Sequence, residues 1–204
     1  MSKETDLRVL KTHKLIRSSF LNLIDEKGFE CITINDIAKK AQINRSTFYL
    51  HYCDKYDLLD RTVDETLGKL LGLVASEAHI RGRNLDIDSF TQNIQAILKL
   101  IAEDALFYKT IFGENGMSGI RKKMMDILKQ KLAQSFREET LIPKELFLEL
   151  ITSLYMGAID WWLSQEMAYS PSYMAQQLVK TLTMGPAKVS GLIDAVNGYF
   201  FGLI

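Results

Sequence analysis

Little in this sequence interrupts a helix. Only three prolines occur in 204 residues, at positions 143, 171 and 186, so long helices joined by short connections are favoured. Cysteine is as scarce: Cys31 and Cys53 form no CxxC pair and have no histidine at ligand spacing. That excludes a disulfide framework and a zinc site and leaves a reducing cytoplasm as the expected compartment. The three histidines, His13, His51 and His79, are scattered. No HExxH, phosphate-cradling glycine loop or nucleophile-and-base arrangement accompanies them, so no enzyme, cofactor or metal is expected. A signal peptide is excluded by the polar N-terminus MSKETDLRVLKTHK, and a membrane span by Glu149 and Asp160 inside the most apolar stretch, 146–163. Net charge is also absent, with 25 basic and 25 acidic side chains.

What is present is a globular composition, 47% apolar and 25% charged, which rules out the disordered and fibrous classes. Charge is unevenly placed, since the first 55 residues hold ten Lys/Arg against seven Asp/Glu. Such an excess gains meaning only where it meets a motif. Ile16, Phe20, Leu23 and Ile24 share one helix face, predicting a first helix over 6–26 that ends at Gly28. Thr33 with Asp36 in capping-box position starts a second helix. Only Gln42 and Ile43 separate it from Asn44, the expected N-cap of a short third helix over 45–51. Asp54 caps a fourth, whose apolar positions Leu59, Val63, Leu67, Leu70 and Val74 keep a helical period. Residues 79–88 read as a loop. Five further helices are predicted: around Phe90–Ile101, Leu106–Phe112 (stopping at Gly113) and Ile120–Leu132, from Pro143 to Glu166, and from Ser170-Pro171 to Met184. The tail from Gly185, with Tyr199, Phe200 and Phe201, is expected as a short helix at most. The fold class is therefore all-α, with no competing strand pattern.

Helices two and three, joined by a tight turn, make the arrangement in which a recognition helix enters the major groove. The third helix reads Asn44-Arg45-Ser46-Thr47-Phe48-Tyr49-Leu50-His51-Tyr52, with Phe48 as core anchor. Arg45 can bond guanine edges bidentately, and Ser46 and Thr47 can reach bases or phosphates. Tyr49, His51 and Tyr52 suit phosphates, as do Lys55 beside the N-terminus of the fourth helix and Thr33 at the start of the second. The bland alternative is a merely solvated face, with His51, like His13 and His79, an ordinary surface histidine.

The run from Thr33 to Tyr52, continued by Asp54-Lys55-Tyr56-Asp57-Leu58-Leu59, resembles the N-terminal DNA-binding domain of the TetR family, T-x-x-x-I-A-x-x-A-G-V-S-x-x-T-F-Y-x-H-F-x-x-K-x-x-L. Gln42 stands where that pattern has glycine, which requires either negative φ or strain there, and Asn44 stands where it often has serine. The resemblance implies a homodimer on a palindromic operator in double-stranded DNA, with a helical C-terminal body that dimerises and often binds a small-molecule effector. Residues 155–184 also resemble the DhaS-like subset of the family, some of whose members activate transcription with a protein partner. A coactivator is thus the alternative to a repressor released by ligand. The implied division is a helix-turn-helix domain at 1–55, a regulatory body at 56–184 and a tail at 185–204.

Within the body, Leu150, Leu154, Gly157, Ala158 and Trp161, with Met174 and Leu178, are the expected dimer interface. The small residues would let a partner helix approach closely. The alternative is that they are core positions of a monomer. Phe107, Tyr108, Phe112, Met124, Met125, Tyr155, Trp162 and Met167 are the expected lining of an apolar cavity, or else plain core.

Overall fold

A computed structural model of the chain describes residues 3–74, 80–81, 84–112, 118–135 and 140–192. Ten helices occur among them: α1 (Lys3–Lys27), α2 (Ile34–Lys40), α3 (Arg45–Tyr49), α4 (Lys55–Leu73), α5 (Ile87–Glu103), α6 (Ala105–Phe112), α7 (Ser118–Ser135), α8 (Lys144–Ser164), α9 (Pro171–Met184) and α10 (Pro186–Val189). Two strands of two residues each, β1 (Ile80–Arg81) and β2 (Asn84–Leu85), pair antiparallel. This corrects the loop expected at 79–88, because α5 starts earlier, at Ile87, with the Asp86 carboxylate capping Ser89 N at 3.1 Å. The pairing is too short to alter an all-α architecture. His79, Gly113 and the apolar end of the tail lie outside the described residues.

Local signals set most helix ends. Gly28, at φ +75°, ends α1 in the left-handed conformation that lacks a Cβ penalty, and its N–H donates to Ile24 O at 2.8 Å. Thr33 and Asp36 form the reciprocal capping box of α2. Asp54 Oδ1 accepts from Tyr56 N and Asp57 N, both at 2.8 Å, to cap α4. Ser170 caps α9 ahead of Pro171 at its first position. Asn44, by contrast, makes no side-chain cap bond, so α3 opens without that support.

One hydrophobic cluster runs through the described chain. It includes Ile16, Phe20 and Ile24 of α1 with Ile37, Phe48 and Leu58 from the N-terminal end of the chain, and Leu98, Ile101, Phe107 and Trp162 from the body at its other end. Within the body, α5 packs along α9, and α6, α7 and α8 pack on one another. The α1–α6 contact joins the two ends. Arg17 of α1 donates to both carboxylate oxygens of Asp104, at the α5–α6 corner, at 2.8 and 2.5 Å, and to Thr66 Oγ1 of α4 at 2.9 Å. Its guanidinium also lies 5.6 Å from the Phe107 ring centroid. A fork-shaped donor on a planar carboxylate fixes orientation as well as distance, so this pair aligns the N-terminal helices on the body.

One helix, α8, is long and apolar enough to cross a bilayer by length and composition. It is instead tied into the bundle by Glu149, paired with Lys129, and by Asp160, paired with Arg121 at 3.6 Å, both cations coming from α7.

Candidate nucleic-acid interface and body cavity

The turn between α2 and α3 is built on Gln42, whose φ of +54° places an L-residue in the left-handed region. Of the two possibilities raised by the missing glycine, strain is the one found. The geometry is kept because both flanks are anchored: Ile43 N donates to Ala38 O at 3.0 Å, and Phe48 of α3 is fully buried.

With Phe48 turned inward, α3 presents Arg45, Ser46, Tyr49 and Leu50 to solvent and leaves Thr47 half-buried. Arg45 and Tyr49, one turn apart, are organised together: Arg45 Nη2 donates to Tyr49 Oη at 3.0 Å, and the guanidinium sits 5.5 Å from the ring centroid. This leaves further N–H donors of the fork to meet a planar pair of acceptors.

Four residues assigned to phosphates behave differently from one another. Tyr49 is exposed, and His51 is half-buried. Tyr52 corrects the expectation. It is only 6% exposed, its ring lies tilted against Phe48 at a centroid distance of 5.7 Å, and its hydroxyl is directed inward to His13 Nδ1 at 2.8 Å. Lys55 is likewise committed inside the chain. Its ammonium donates to Phe29 O and Glu30 O at 3.1 Å each and sits 4.7 Å from the Phe29 ring centroid. It thereby satisfies carbonyls beyond the end of α1.

The remaining phosphate donor, Thr33, gives its backbone N–H and its hydroxyl to Asp36 Oδ2 at 2.9 and 2.7 Å. The same carboxylate pairs with Lys27 at 2.8 Å, and that lysine and the Thr33 bonds hold its pKa well below the usual range. A phosphate at Thr33 would have to displace an anion already in place.

The sequence reading also missed His13. Its Nε2 lies 3.1 Å from His51 Nδ1, so it joins α1 to the turn that follows α3 rather than standing free on the surface. Burial, then the neighbouring His13, pushes the His51 imidazole pKa down. The signal was available: His13, Arg17, Phe20 and Ile24 lie at i, i+4, i+7 and i+11 of α1, so two polar residues share the face that is buried.

In the body, a cavity of about 280 Å³ lies between α4, α5, α6, α7, α8 and α9. Tyr108, Phe112, Met124 and Tyr155 line it as expected. Phe107 and Trp162 do not. Both are fully buried in the core, where Trp162 Nε1 donates to Tyr169 O at 2.8 Å. Met125 and Met167 also lie off its wall. The missed wall comes from α5, notably Ile94, Ile97 and Leu98, and from Leu70 of α4 and its C-cap Val74. Asn93, the amide at this wall, donates to Leu73 O at 3.0 Å and so ties α5 to the end of α4. Burial raises the pKa of the Tyr108 and Tyr155 phenols, which stay neutral.

Along α8 the expected interface residues separate into two groups. Leu150 and Trp161 are 56% and 49% exposed, Gly157 is exposed, and Leu154 and Ala158 are half-buried on the same stripe. Met174 and Leu178 are corrected to core positions, because α9 turns them onto α5. Exposed on the surface near this stripe, Tyr169 stacks on Trp161 with ring centroids 6.0 Å apart, and Tyr173 stacks on Tyr169 at 5.1 Å.

Comparison with known proteins agrees with this geometry at both ends of the chain. Residues 18–62 match the family model for "Bacterial regulatory proteins, tetR family", and residues 88–184 match that for "Transcriptional regulator C-terminal region". The uncharacterized HTH-type transcriptional regulator YxbF of Bacillus subtilis is 23% identical over 92% of this chain and 48% of its own length. The HTH-type dhaKLM operon transcriptional activator DhaS of Lactococcus lactis is 25% identical over 50% of this chain and 49% of its own. The chain's match thus spans about half the length of these curated relatives. Among solved structures, the transcriptional regulator FadR from Bacillus subtilis in complex with stearoyl-CoA aligns with a TM-score of 0.63 at 20% identity. That alignment covers 84% of this chain and 98% of FadR, and it speaks for the fold alone. With a matched helix-turn-helix at one end and a matched regulator body at the other, the chain belongs to the TetR family of bacterial transcriptional regulators, DNA-binding proteins of the helix-turn-helix type.

Proposed function

We propose that the chain is a dimeric, cytoplasmic repressor that leaves a palindromic operator when a small apolar molecule enters the body. The observation that carries this reading is the composition of the cavity wall. Leu70 belongs to α4 and Val74 caps its C-terminal end, and α4 is the helix that also begins at the DNA-facing module, while the rest of the wall belongs to the body. An occupant that pushes on that wall would move α4, and with it α3. A ligand shifts such an equilibrium only by its differential affinity for the two arrangements.

The nearly all-apolar lining favours a hydrocarbon-rich ligand with few polar atoms. The stearoyl-CoA held by the neighbour FadR supports a ligand of that character. Residues 1–55 would read DNA, with Arg45, Ser46 and Thr47 towards bases and Tyr49 and His51 towards phosphates. Residues 56–184 would sense and dimerise through the stripe Leu150, Leu154, Gly157, Ala158 and Trp161. Two recognition helices would then meet half-sites about 34–36 Å apart or a multiple of that spacing.

The resemblance to the activator DhaS supports the coactivator alternative, in which the body recruits a protein. Native mass spectrometry of the chain purified from its source cell separates the two. A bound small molecule that is lost on DNA binding supports the repressor, and a stoichiometric second protein supports the coactivator. A monomer carrying neither sinks both.

A further inference from the structure

We infer that His51 is a positioned hydrogen-bond donor whose outward-facing nitrogen is set by a relay from buried Tyr52 through His13. The inference rests on the reading of α3 as the DNA-facing helix. Three rings on two elements form the chain: Tyr52 Oη to His13 Nδ1 at 2.8 Å, then His13 Nε2 to His51 Nδ1 at 3.1 Å.

A neutral imidazole has one N–H and one lone pair, so each bond dictates the next. Two directions are conceivable, and burial selects between them. Were His13 Nδ1 to carry the proton, the Tyr52 hydroxyl would accept, and its own proton would need another acceptor. Tyr52 is 6% exposed, and among the described residues its hydroxyl has no other hydrogen-bond partner. A buried O–H without an acceptor is costly.

Tyr52 therefore donates to Nδ1 of His13, His13 donates from Nε2 to Nδ1 of His51, and the proton of His51 sits on Nε2. In that tautomer His51 offers an N–H outward, where a phosphate oxygen accepts it. In the reversed chain the same nitrogen would present a lone pair to an anion and repel it. Burial of the His51 ring and the nearby His13, which disfavour the imidazolium, keep this a choice between neutral forms. Tyr52 and His13 are thus positioning residues, acting through His51 without touching DNA.

The test has two readouts on the full-length chain. Long-range ¹⁵N–¹H correlation spectra at a pH of about 8, above the ordinary histidine range, report which nitrogen of His51 is protonated. The wild type should show Nε2–H, and Tyr52→Phe, which keeps the buried ring, should give a mixture. His13→Leu should do the same should Tyr52→Phe fail to fold. Nδ1–H in the wild type, or an unchanged tautomer in both variants, overturns the relay.

The second readout is affinity for a fluorescein-labelled duplex pool of random sequence at low salt, since phosphate contacts act on any sequence. His51→Ala should weaken binding about three- to tenfold, and Tyr52→Phe by a smaller factor. Adding Tyr52→Phe to His51→Ala should cost nothing more. Equal losses in both backgrounds would make Tyr52 merely structural and refute the relay. Unchanged affinity in His51→Ala would instead refute the phosphate contact alone, leaving the spectra to decide the relay.

Discussion

The Arg17–Asp104 pair carries the alignment of the DNA-facing helices on the body, and its removal should be measurable. Asp104→Ala deletes bonds of 2.8 and 2.5 Å and leaves the guanidinium with Thr66 Oγ1 at 2.9 Å. Arg17 Nε is already buried without a partner, so the variant deepens an existing deficit. A hydrogen bond to a charged group contributes ~1.5–3 kcal/mol, and stranding one buried ion of a pair costs more. The two side chains keep 22% and 25% exposure, however, so water can solvate part of the exposed cation. A loss of about 2 kcal/mol is therefore expected, lowering Tm by roughly 4–8 °C for a chain of this length. Urea denaturation, with the midpoint shifting at constant slope, measures it directly. Replacing both partners, as Arg17→Met with Asp104→Leu, should recover most of the loss, because no charge is then left unpaired. A loss under ~0.5 kcal/mol for Asp104→Ala, typical of exposed pairs, would show that the joint is held by apolar contact alone.

Three other outcomes are expected. Gln42→Gly should raise stability by up to about 1 kcal/mol by relieving the positive φ, while Gln42→Val should lower it; thermal melts that rank the pair the other way contradict strain at this turn. Leu150→Glu with Trp161→Glu should convert a dimer to a folded monomer in sedimentation velocity, since both side chains stand exposed on α8, whereas an unchanged dimer would place the interface elsewhere. The His51 pKa lies below the usual 6.5, so the unfolded state binds the proton more readily. The His51 contribution is then complete above pH 6.5 and is lost as pH falls below it. Stability should decline on acidification from neutral pH, and His51→Gln should flatten that slope; an identical slope in the variant assigns it to another group.

Helix ends were legible in the sequence because their signals are local. The Thr33–Asp36 box, Asp54, Ser170-Pro171 and Gly28 each act within four residues of where they stand. The exposed face of α3 was legible for the same reason: one buried anchor, Phe48, fixes the direction of its neighbours. Tyr52 and Lys55 were misread because residue type gives reach but not direction. The turn between α3 and α4 rolls the tyrosine under the module, and the carbonyls of Phe29 and Glu30 capture the ammonium from 25 residues away or more. The cavity wall failed similarly. Aromatic residues marked α6 and α8 correctly and Met124 marked α7, but the branched aliphatics of α5 look alike whether they face a void or a neighbour. Met174 and Leu178 read as interface because helix period shows which residues share a face, not what covers it.

The central claim is that the surface of α3 reads a two-fold DNA site. Selection of bound duplexes from a random library, sequenced for the wild type and for Arg45→Ala, tests it most directly. The wild type should enrich an inverted repeat with half-site centres about 10 base pairs apart or a multiple of that, and Arg45→Ala should lose preference at one position of each half-site while keeping the repeat. Enrichment of no repeat, or of the same sequence by both proteins, would contradict the account.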